Sequence, residues 1–276
     1  MFYDTDPYRE KQKPLREDRT TAIVVLTPYE SRRLIAKGVL ALPEVKRALK
    51  GDLFVVSRGT TTAYIVEELT GETLDKALCT SGIITDGRLA STVEDLRLGP
   101  WVFRQGKLSD ESVAEALNTF THRDVSVKGV NAVDIDGNVG IIAAGNKGGT
   151  IGSLWPILAA RGSYLIAAVG LEKLIPSVKR ATFKAGQGIH KYVMGSRIAL
   201  MAVMDALVVT EIESLEMLTG ITATHVASGG VAGSEGSVTL ALEGSEETVM
   251  KAVELIKRIK GEPALSMPPL NPPVWA

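Results

Sequence analysis

An arginine, a glycine and three threonines follow one another directly after an apolar run early in the chain. The run Leu53–Val56 leads through Ser57 into this stretch, and a helical pattern follows it. Unpaired backbone N–H groups and the dipole at a helix start favour an anion. We therefore predict that this loop binds a phosphate or carboxylate, although the threonines would also suit a helix cap. The predicted ligand-binding residues are Arg58, Gly59, Thr60, Thr61 and Thr62.

A second glycine-rich loop follows a predicted strand over residues 140–144. Its small residues allow the backbone to approach a ligand, Lys147 offers a positive charge and Thr150 begins a helix. Two such loops at strand ends of one sheet indicate a ligand site more strongly than one does. We predict that the second loop shares the anion, with the residues Gly145, Asn146, Lys147, Gly148, Gly149 and Thr150.

The segment between the two loops, residues 124–138, contains a predicted strand end, a lysine and carboxylates. Lys128 would supply charge to an anion, and Asp134 is the candidate for acid–base chemistry because a carboxylate can exchange a proton with a substrate. The alternative for residues 134–138 is a polar turn with Gly137 at its corner.

The predicted elements alternate between strand and helix from residue 21 to about residue 200. Val, Ile and Ala dominate the strands, so we predict an α/β fold with a mostly parallel, doubly wound sheet over residues 21–200. The strand over residues 21–26 is assigned to this core. Ligands bind beyond the carboxyl ends of the strands in such sheets.

The last part of the chain has a different pattern. Predicted strands at 206–210, 222–228 and 237–243, with a helix after the first and another after the last, give the order β-α-β-β-α. This order predicts a small ferredoxin-like α+β domain over residues 204–262. Residues 1–20 are predicted to form a charged arm and residues 263–276 a proline-rich extended tail. Both ends suit contact with a neighbouring subunit, so we expect a homo-oligomer.

Composition excludes several classes of partner. The net charge of −1 and the aromatic content of 5% argue against a nucleic acid. No apolar run approaches the roughly 20 residues of a membrane span, and Cys79 is the single cysteine, which suits the cytoplasm. The three histidines lack metal-ligand spacing, so neither a metal nor a cofactor is expected.

A basic segment at residues 183–197 has two interpretations. It contains Lys184, His190, Lys191 and Arg197 between glycines. It could cover an anion as a flap, or it could be an interdomain linker, since linkers favour glycine and charge.

The order of these motifs resembles the superfamily of ribose-5-phosphate isomerase, glucosamine-6-phosphate deaminase and the CoA transferases, over about residues 50–180. In the isomerases the first loop reads Gly-Thr-Gly-Ser-Thr and binds phosphate, which implies that role for residues 58–62. Their catalytic loop reads Asp-Gly-Ala-Asp-Glu, and Lys128 to Ala132 stand in its place, which adds Lys128 to the catalytic candidates and Asn131 to the ligand set. A small ferredoxin-like domain is also part of those isomerases.

The chain departs from that pattern at the catalytic loop, where both carboxylates are missing. The stretch 162–176 and the Asn131-Ala132 step are similar to the lactate-utilisation branch of the same superfamily. The sequence thus predicts a protein that binds a small anionic metabolite, such as a sugar phosphate or nucleotide-like molecule. It would act as an isomerase-like or transferase-like enzyme, or it would be a non-catalytic sensor or structural subunit.

Overall fold

The computed structural model describes residues 19–272 of the chain. Its strands are β1 (Thr20–Leu26), β2 (Leu53–Val56), β3 (Gly82–Thr85), β4 (Arg88–Ser91), β5 (Trp101–Arg104), β6 (Lys107–Ser109), β7 (Val125–Gly129), β8 (Ala132–Val133), β9 (Val139–Ala143), β10 (Tyr164–Ala168), β11 (Ala199–Val203), β12 (Leu207–Val209), β13 (Thr222–Gly229) and β14 (Ser237–Gly244). Its α-helices are α1 (Pro28–Ala41), α2 (Pro43–Gly51), α3 (Thr60–Thr70), α4 (Val113–Thr119), α5 (Gly149–Arg161), α6 (Val178–Thr182), α7 (Glu211–Thr219) and α8 (Glu246–Ile259). Short 3₁₀ helices lie at Glu94–Leu96 and Leu171–Lys173.

A six-stranded sheet in the order β12-β10-β7-β2-β5-β6 forms the centre of the molecule. Strands β12, β10, β7 and β2 run parallel, and β5 and β6 extend the sheet in antiparallel fashion. All residues of β2 are buried because both faces of the sheet are covered. The prediction of a mixed α/β protein with a mostly parallel sheet is confirmed.

The two faces of the central sheet pack against different elements. Phe54 and Val56 share one core with residues of α1, α2 and α3. Leu53 and Val55 belong to a second core with residues of α4, α5 and β9. Side chains alternate along a strand, so Val125 and Val127 of β7 face the first core, and the residues between and after them face the second.

A three-stranded antiparallel sheet in the order β1-β14-β13 lies apart from the central sheet. Its core contains residues of β14 and α8 together with Leu26 of β1. Two predicted strand assignments are therefore wrong. The strand at 21–26 belongs to this small sheet, where its alternating exposure is typical of an antiparallel edge strand. The strand at 206–210 extends the central sheet beside β10, because its apolar residues pair in parallel there.

The remaining antiparallel pairs lie at the periphery. Strands β11, β9 and β8 form a second small sheet, and β3 and β4 form a hairpin. The described part of the proline-rich tail contacts the segment after this hairpin, where Asn271 Nδ2 donates to the Thr92 carbonyl at 3.1 Å. Residues 1–18 and 273–276 lie outside the described residues, and with them most of the predicted arm and the end of the predicted tail. Thr20, the last residue assigned to the arm, begins β1. The predicted unit boundaries near residue 200 stay a prediction.

Within residues 19–272, none of the helices combines the length and the apolar character that crossing a bilayer requires.

Candidate functional site

The carboxyl ends of the parallel strands meet at one edge of the central sheet. Strand β2 is followed there by residues 57–59, β7 by 130–131, β10 by 169–170 and β12 by Thr210. Sheets of this kind bind ligands at this edge.

The first predicted loop leaves this edge and leads into α3. Helix α3 begins after Gly59, and no side chain caps its first turn. The interpretation that the threonines cap the helix is therefore wrong. No described residue accepts a hydrogen bond from the backbone N–H of Thr60, Thr61 or Thr62. These open donors and the helix dipole create a positive potential at the carboxyl end of β2.

The side chains of the first loop mostly hold its shape. Thr62 Oγ1 donates to the carbonyls of Ser57 at 2.7 Å and Gly59 at 3.0 Å, so its hydroxyl is occupied. Arg58 Nε donates to the Gly99 carbonyl at 2.7 Å, which fixes the guanidinium beside the loop. Burial lowers the pKa of Arg58, and the neighbouring Arg97 lowers it further. The terminal nitrogens of Arg58 have no acceptor among the described residues.

Strand β7 ends directly beside this loop. A Cβ placed on Gly129 would lie 3.9 Å from the Cβ of Thr61, and one placed on Gly59 would lie 4.0 Å from the Gly129 Cα. The open amides of α3 therefore lie next to the end of β7.

Lys128, a predicted catalytic residue, is the penultimate residue of β7 and only 9% exposed. It lies opposite Ala167 of β10, on the face of the sheet that α5 covers. No described residue forms a hydrogen bond or ion pair with its ammonium group. Burial lowers the pKa of Lys128 to about 8. Ser126, on the same face, has a buried hydroxyl without a partner.

A second lysine at the edge was not found from the sequence. Lys173 follows β10, and its Nζ donates to the Val130 carbonyl at 3.2 Å, just beyond β7. Burial lowers the pKa of Lys173, and Arg32 lowers it further. The neighbouring Glu172 pairs with Arg32 at 3.3 Å, so this carboxylate is engaged elsewhere. The pattern around residue 173 resembles an ordinary short helix, and no sequence signal distinguishes this lysine.

Glu211, at the start of α7, is also a perturbed group that the sequence did not reveal. It is fully buried, its Oε2 accepts from the backbone N–H of Leu171 at 3.0 Å, and its Oε1 has no hydrogen-bond partner among the described residues. Burial raises the pKa of Glu211 to about 7, against the opposing effect of its hydrogen bonds. It follows β12, three strands from β2, which is roughly 14 Å at the usual strand spacing. Glu211 therefore lies away from the first loop, but its carboxylate reaches the end of β10, where its Oε1 lies 3.2 Å from the Cβ position of Gly170 and its charge acts on Lys173.

The second predicted loop leaves β9, which belongs to the second small sheet rather than the central sheet. The expectation that both loops leave one sheet is wrong. Helix α5 ends two residues before β10 begins, so its 13 residues, about 20 Å long, return its N-terminus towards the carboxyl edge. The loop lies on the α5 face, and α3 covers the other face. The two loops thus reach the same edge from opposite sides.

Several glycines of the second loop are required by packing. A Cβ on Gly148, whose φ is +78°, would lie 2.5 Å from Met201 Sδ. A Cβ on Gly152 would lie 1.8 Å from the Lys147 carbonyl oxygen. The side chains of Asn146 and Lys147 and the backbone at Gly145, Gly149 and Thr150 are exposed. The loop therefore has a structural reason for some of its glycines, and its ligand role stays a prediction.

Asp134 is 1% exposed and holds a turn together. Its Oδ1 accepts from the backbone N–H of Asp136 at 3.2 Å and of Asn138 at 3.0 Å, and its Oδ2 accepts from the Val178 N–H at 2.8 Å. The turn interpretation of residues 134–138 is confirmed, since the Asp134 N–H also donates to the Asn138 carbonyl. The predicted acid–base role of Asp134 is untested, but these bonds already occupy both oxygens.

Asn131 accepts from the Ile142 N–H at 2.9 Å, which leaves its amide nitrogen for a ligand.

Cys79 is buried, and burial raises the pKa of its thiol to about 12, which suits packing rather than nucleophilic attack. Among residues 19–272, no cluster of three or more His, Cys, Asp or Glu side chains could hold a metal ion.

Comparison with known proteins found no match among protein-family models, curated proteins or solved structures.

Proposed function

We propose that this protein binds a small anionic metabolite, a sugar phosphate or nucleotide-like molecule, at the carboxyl edge of its central sheet. The observation on which this proposal rests is Lys128, a largely buried lysine in the penultimate position of a parallel strand, whose ammonium group has no partner among the described residues. An unpaired buried cation destabilises the free protein, so its presence at a strand end favours a role with a negative ligand.

The neighbouring groups support an anion rather than a cation. The amides of Thr60, Thr61 and Thr62 have no acceptor among the described residues. Lys173 lies beside the end of β7 and forms no ion pair with a described carboxylate, although Glu172 and Glu211 act on its charge. The nearest acid in sequence, Glu172, is paired with Arg32. Helix α3 would bind the phosphate with its first turn, and the two lysines would neutralise its charge.

Lys128 also provides the chemistry for an enzymatic role. With a pKa of about 8, its amine is partly neutral just above pH 7, so it can accept a proton from a carbon next to a carbonyl and return it. This would support an isomerase-like reaction in the absence of the carboxylates of the isomerase loop. Asp134 is a weaker candidate because its oxygens hold the turn.

The second candidate is a non-catalytic sensor or structural subunit. The hydrogen bonds that occupy Asp134 favour this candidate, and Asp124, the other buried carboxylate of residues 124–138, is occupied in the same way by the N–H groups of Leu53 and Thr121. A sensor needs the amides and lysines of the edge, but it needs no titration of Lys128 during turnover.

The superfamily and the fold of the small unit are part of the proposal. The parallel order β12-β10-β7-β2 supports a doubly wound sheet like that of the phosphosugar isomerases and CoA transferases. The order β1-β14-β13, with α1 after β1 and α8 after β14, supports a ferredoxin-like unit into which the central sheet is inserted. We also propose a cytoplasmic homo-oligomer, supported by the single cysteine and by exposed apolar side chains such as Met204 and Val231.

A thermal-shift screen tests the binding proposal. Ribose 5-phosphate, AMP and acetyl-CoA are compared with ribose and adenosine, which lack the anionic group. At 100 times its dissociation constant, a ligand is expected to add about 2.7 kcal/mol to the free energy of unfolding. Stabilisation by at least one anion and by neither neutral compound supports the proposal.

The variant Lys173→Gln tests whether the anion binds at the carboxyl edge of the central sheet. We expect this variant to lower the affinity for the anion by about tenfold, which is the effect of losing one charge-assisted contact. Lys179→Gln on α6 is the matched control, because Lys179 is exposed and lies outside the edge. No stabilisation by any of the anions, or equal affinity in wild type and Lys173→Gln, would contradict the proposal.

A further inference from the structure

A cleft with a volume of about 440 Å³ lies between the β3–β4 hairpin and the basic segment at residues 183–197. This size lies in the range of small-molecule sites. Ile84, Arg88 and Leu89 line the hairpin side, and Lys184, His190 and Arg197 lie on the opposite side. Lys128, Lys173 and the first turn of α3 are not among its lining residues, while Gln187, which lines it, donates to the Gly145 carbonyl of the second loop at 3.2 Å.

The two walls of the cleft are joined by backbone hydrogen bonds. The N–H of Leu89 donates to the Met194 carbonyl at 3.3 Å, and the N–H of Ser196 donates to the Leu89 carbonyl at 2.9 Å. Gly195 makes this contact possible, because its φ is +94° and a Cβ there would lie 1.9 Å from the Leu89 carbonyl oxygen. The cleft is therefore largely preformed.

Side chains fix the basic wall from within. His190 Nε2 lies 2.8 Å from the Lys184 carbonyl, and Arg197 donates to the His190 carbonyl at 2.6 Å. Gln187 Nε2 donates to the Ala143 carbonyl at 3.1 Å and so anchors the wall to the end of β9. The basic segment therefore folds as one wall of the cleft. An interdomain linker would not require these side-chain contacts.

The chemical character of the cleft is both cationic and apolar. No Asp or Glu is among its lining residues, and the nearest acid along the hairpin is Asp86 in the turn. The side chains of Arg88 and Lys184 have no hydrogen-bond or ion-pair partner among residues 19–272. Ile84 and Tyr192 are 65% and 79% exposed, so an apolar surface borders these free cations.

We propose that this cleft binds a small organic anion whose carboxylate or phosphate is attached to an aromatic or aliphatic body. Arg88 and Lys184 pair with the acidic group, and Ile84 and Tyr192 contact the apolar body. An inorganic anion uses only the first set of contacts, and an uncharged aromatic compound uses only the second.

Titration calorimetry with simple probes tests this assignment. Phenyl phosphate and benzoate represent the proposed class, and inorganic phosphate and phenol each lack one part of it. We expect saturable binding of at least one aryl anion, about tenfold tighter than inorganic phosphate or phenol. The double variant Arg88→Gln, Lys184→Gln is expected to lower the affinity for the aryl anion by about tenfold or more.

Two further variants separate the apolar contact from a general charge effect. Ile84→Ser is expected to weaken the binding of phenyl phosphate and to leave the affinity for inorganic phosphate unchanged. Lys46→Gln with Lys50→Gln removes two exposed positive charges on α2, outside the cleft, and is expected to leave both affinities unchanged. Far-ultraviolet circular dichroism and thermal melts verify that each variant is folded.

The proposal is overturned if neither aryl anion binds, or if inorganic phosphate binds as tightly as phenyl phosphate. It is equally overturned if the double variant at Arg88 and Lys184 binds as the wild type does, or if the distant double variant loses affinity to the same extent.

Discussion

The Nζ of Lys173 donates a hydrogen bond to the carbonyl oxygen of Val130 at 3.2 Å. This contact runs from the loop after β10 to the end of β7, the strand next to β2. It places a positive charge on the same edge as the open amides of α3. Residues distant in sequence thus meet at one edge because the strand order brings their loops together.

Lys128→Met is expected to change how stability depends on pH. The pKa of Lys128 is about 8 in the folded protein and near 10.5 in the unfolded chain. Between these values the unfolded state binds more protons, so the wild type gains stability as pH rises from 8 to 10.5. At pH 7 the variant should be more stable by up to about 3 kcal/mol, and the difference should close towards pH 10.5.

Urea denaturation at pH 7, 8.5 and 10 measures this difference. Lys50→Met is the control, because Lys50 is exposed on α2 and its removal should leave the pH dependence unchanged. If the difference in stability between Lys128→Met and the wild type is constant across this pH range, Lys128 is not desolvated in the folded protein.

Glu211→Gln should show the opposite pH dependence. The pKa of Glu211 is raised from 4.5 to about 7 by burial, so the folded state binds more protons between these values. The wild type therefore loses stability as pH rises from 4.5 through 7, and the glutamine variant lacks this loss. At pH 8 the variant should be more stable than the wild type by up to about 3 kcal/mol relative to their difference at pH 4.5.

Glu216→Gln is the matched control for Glu211→Gln, since it lies on the same helix and is exposed. Thermal melts at pH 4.5, 6 and 8 suffice for the comparison. Equal pH dependence in Glu211→Gln and wild type would contradict the buried ionisation.

Gly152→Ala tests the packing of the second loop. The added Cβ would lie 1.8 Å from the Lys147 carbonyl oxygen, so the backbone must move, at a cost of about 1–3 kcal/mol. Gly51→Ala on α2 is the contrast, because no atom lies within 4 Å of its Cβ position and alanine favours the helix. Denaturation curves should show opposite signs for the two variants; a neutral Gly152→Ala would refute the close approach.

Asp134→Asn tests whether Asp134 only stabilises its turn or also takes part in ligand binding and catalysis. Both carboxylate oxygens accept backbone N–H groups, so an amide nitrogen in place of one oxygen faces a donor and should cost about 1–3 kcal/mol. The affinity for the anion should stay within about twofold of wild type, a difference well under 1 kcal/mol. A loss of affinity or turnover without a loss of stability would restore Asp134 as a functional group.

The sequence predicts the elements that position the site because their signals are local. Leu53–Val56 and the stretch 125–129 are apolar runs, and glycine or hydroxyl residues mark the points where they end. The start of α3 at Thr60 and the turn at Asp134 follow from such local patterns.

The pairing of distant strands could not be predicted in this way. The register of Thr20 with Gly244 and of Leu207 with Ile166 depends on which apolar face finds a partner in the folded chain. The burial of Lys173 and Glu211 has the same origin, since each resembles an ordinary helix residue until neighbouring elements cover it.

The most direct test of the anion site is the pKa of Lys128 with and without ligand. Lysine labelled with ¹³C at Cε is followed by NMR as pH is raised, and Lys128→Met assigns the resonance. We predict a pKa of about 8 in the free protein and a higher value when ribose 5-phosphate or AMP is bound, because a nearby anion stabilises the ammonium form. A pKa near 10.5 in the free protein, or a value that does not move at a saturating concentration of a bound anion, would contradict the account.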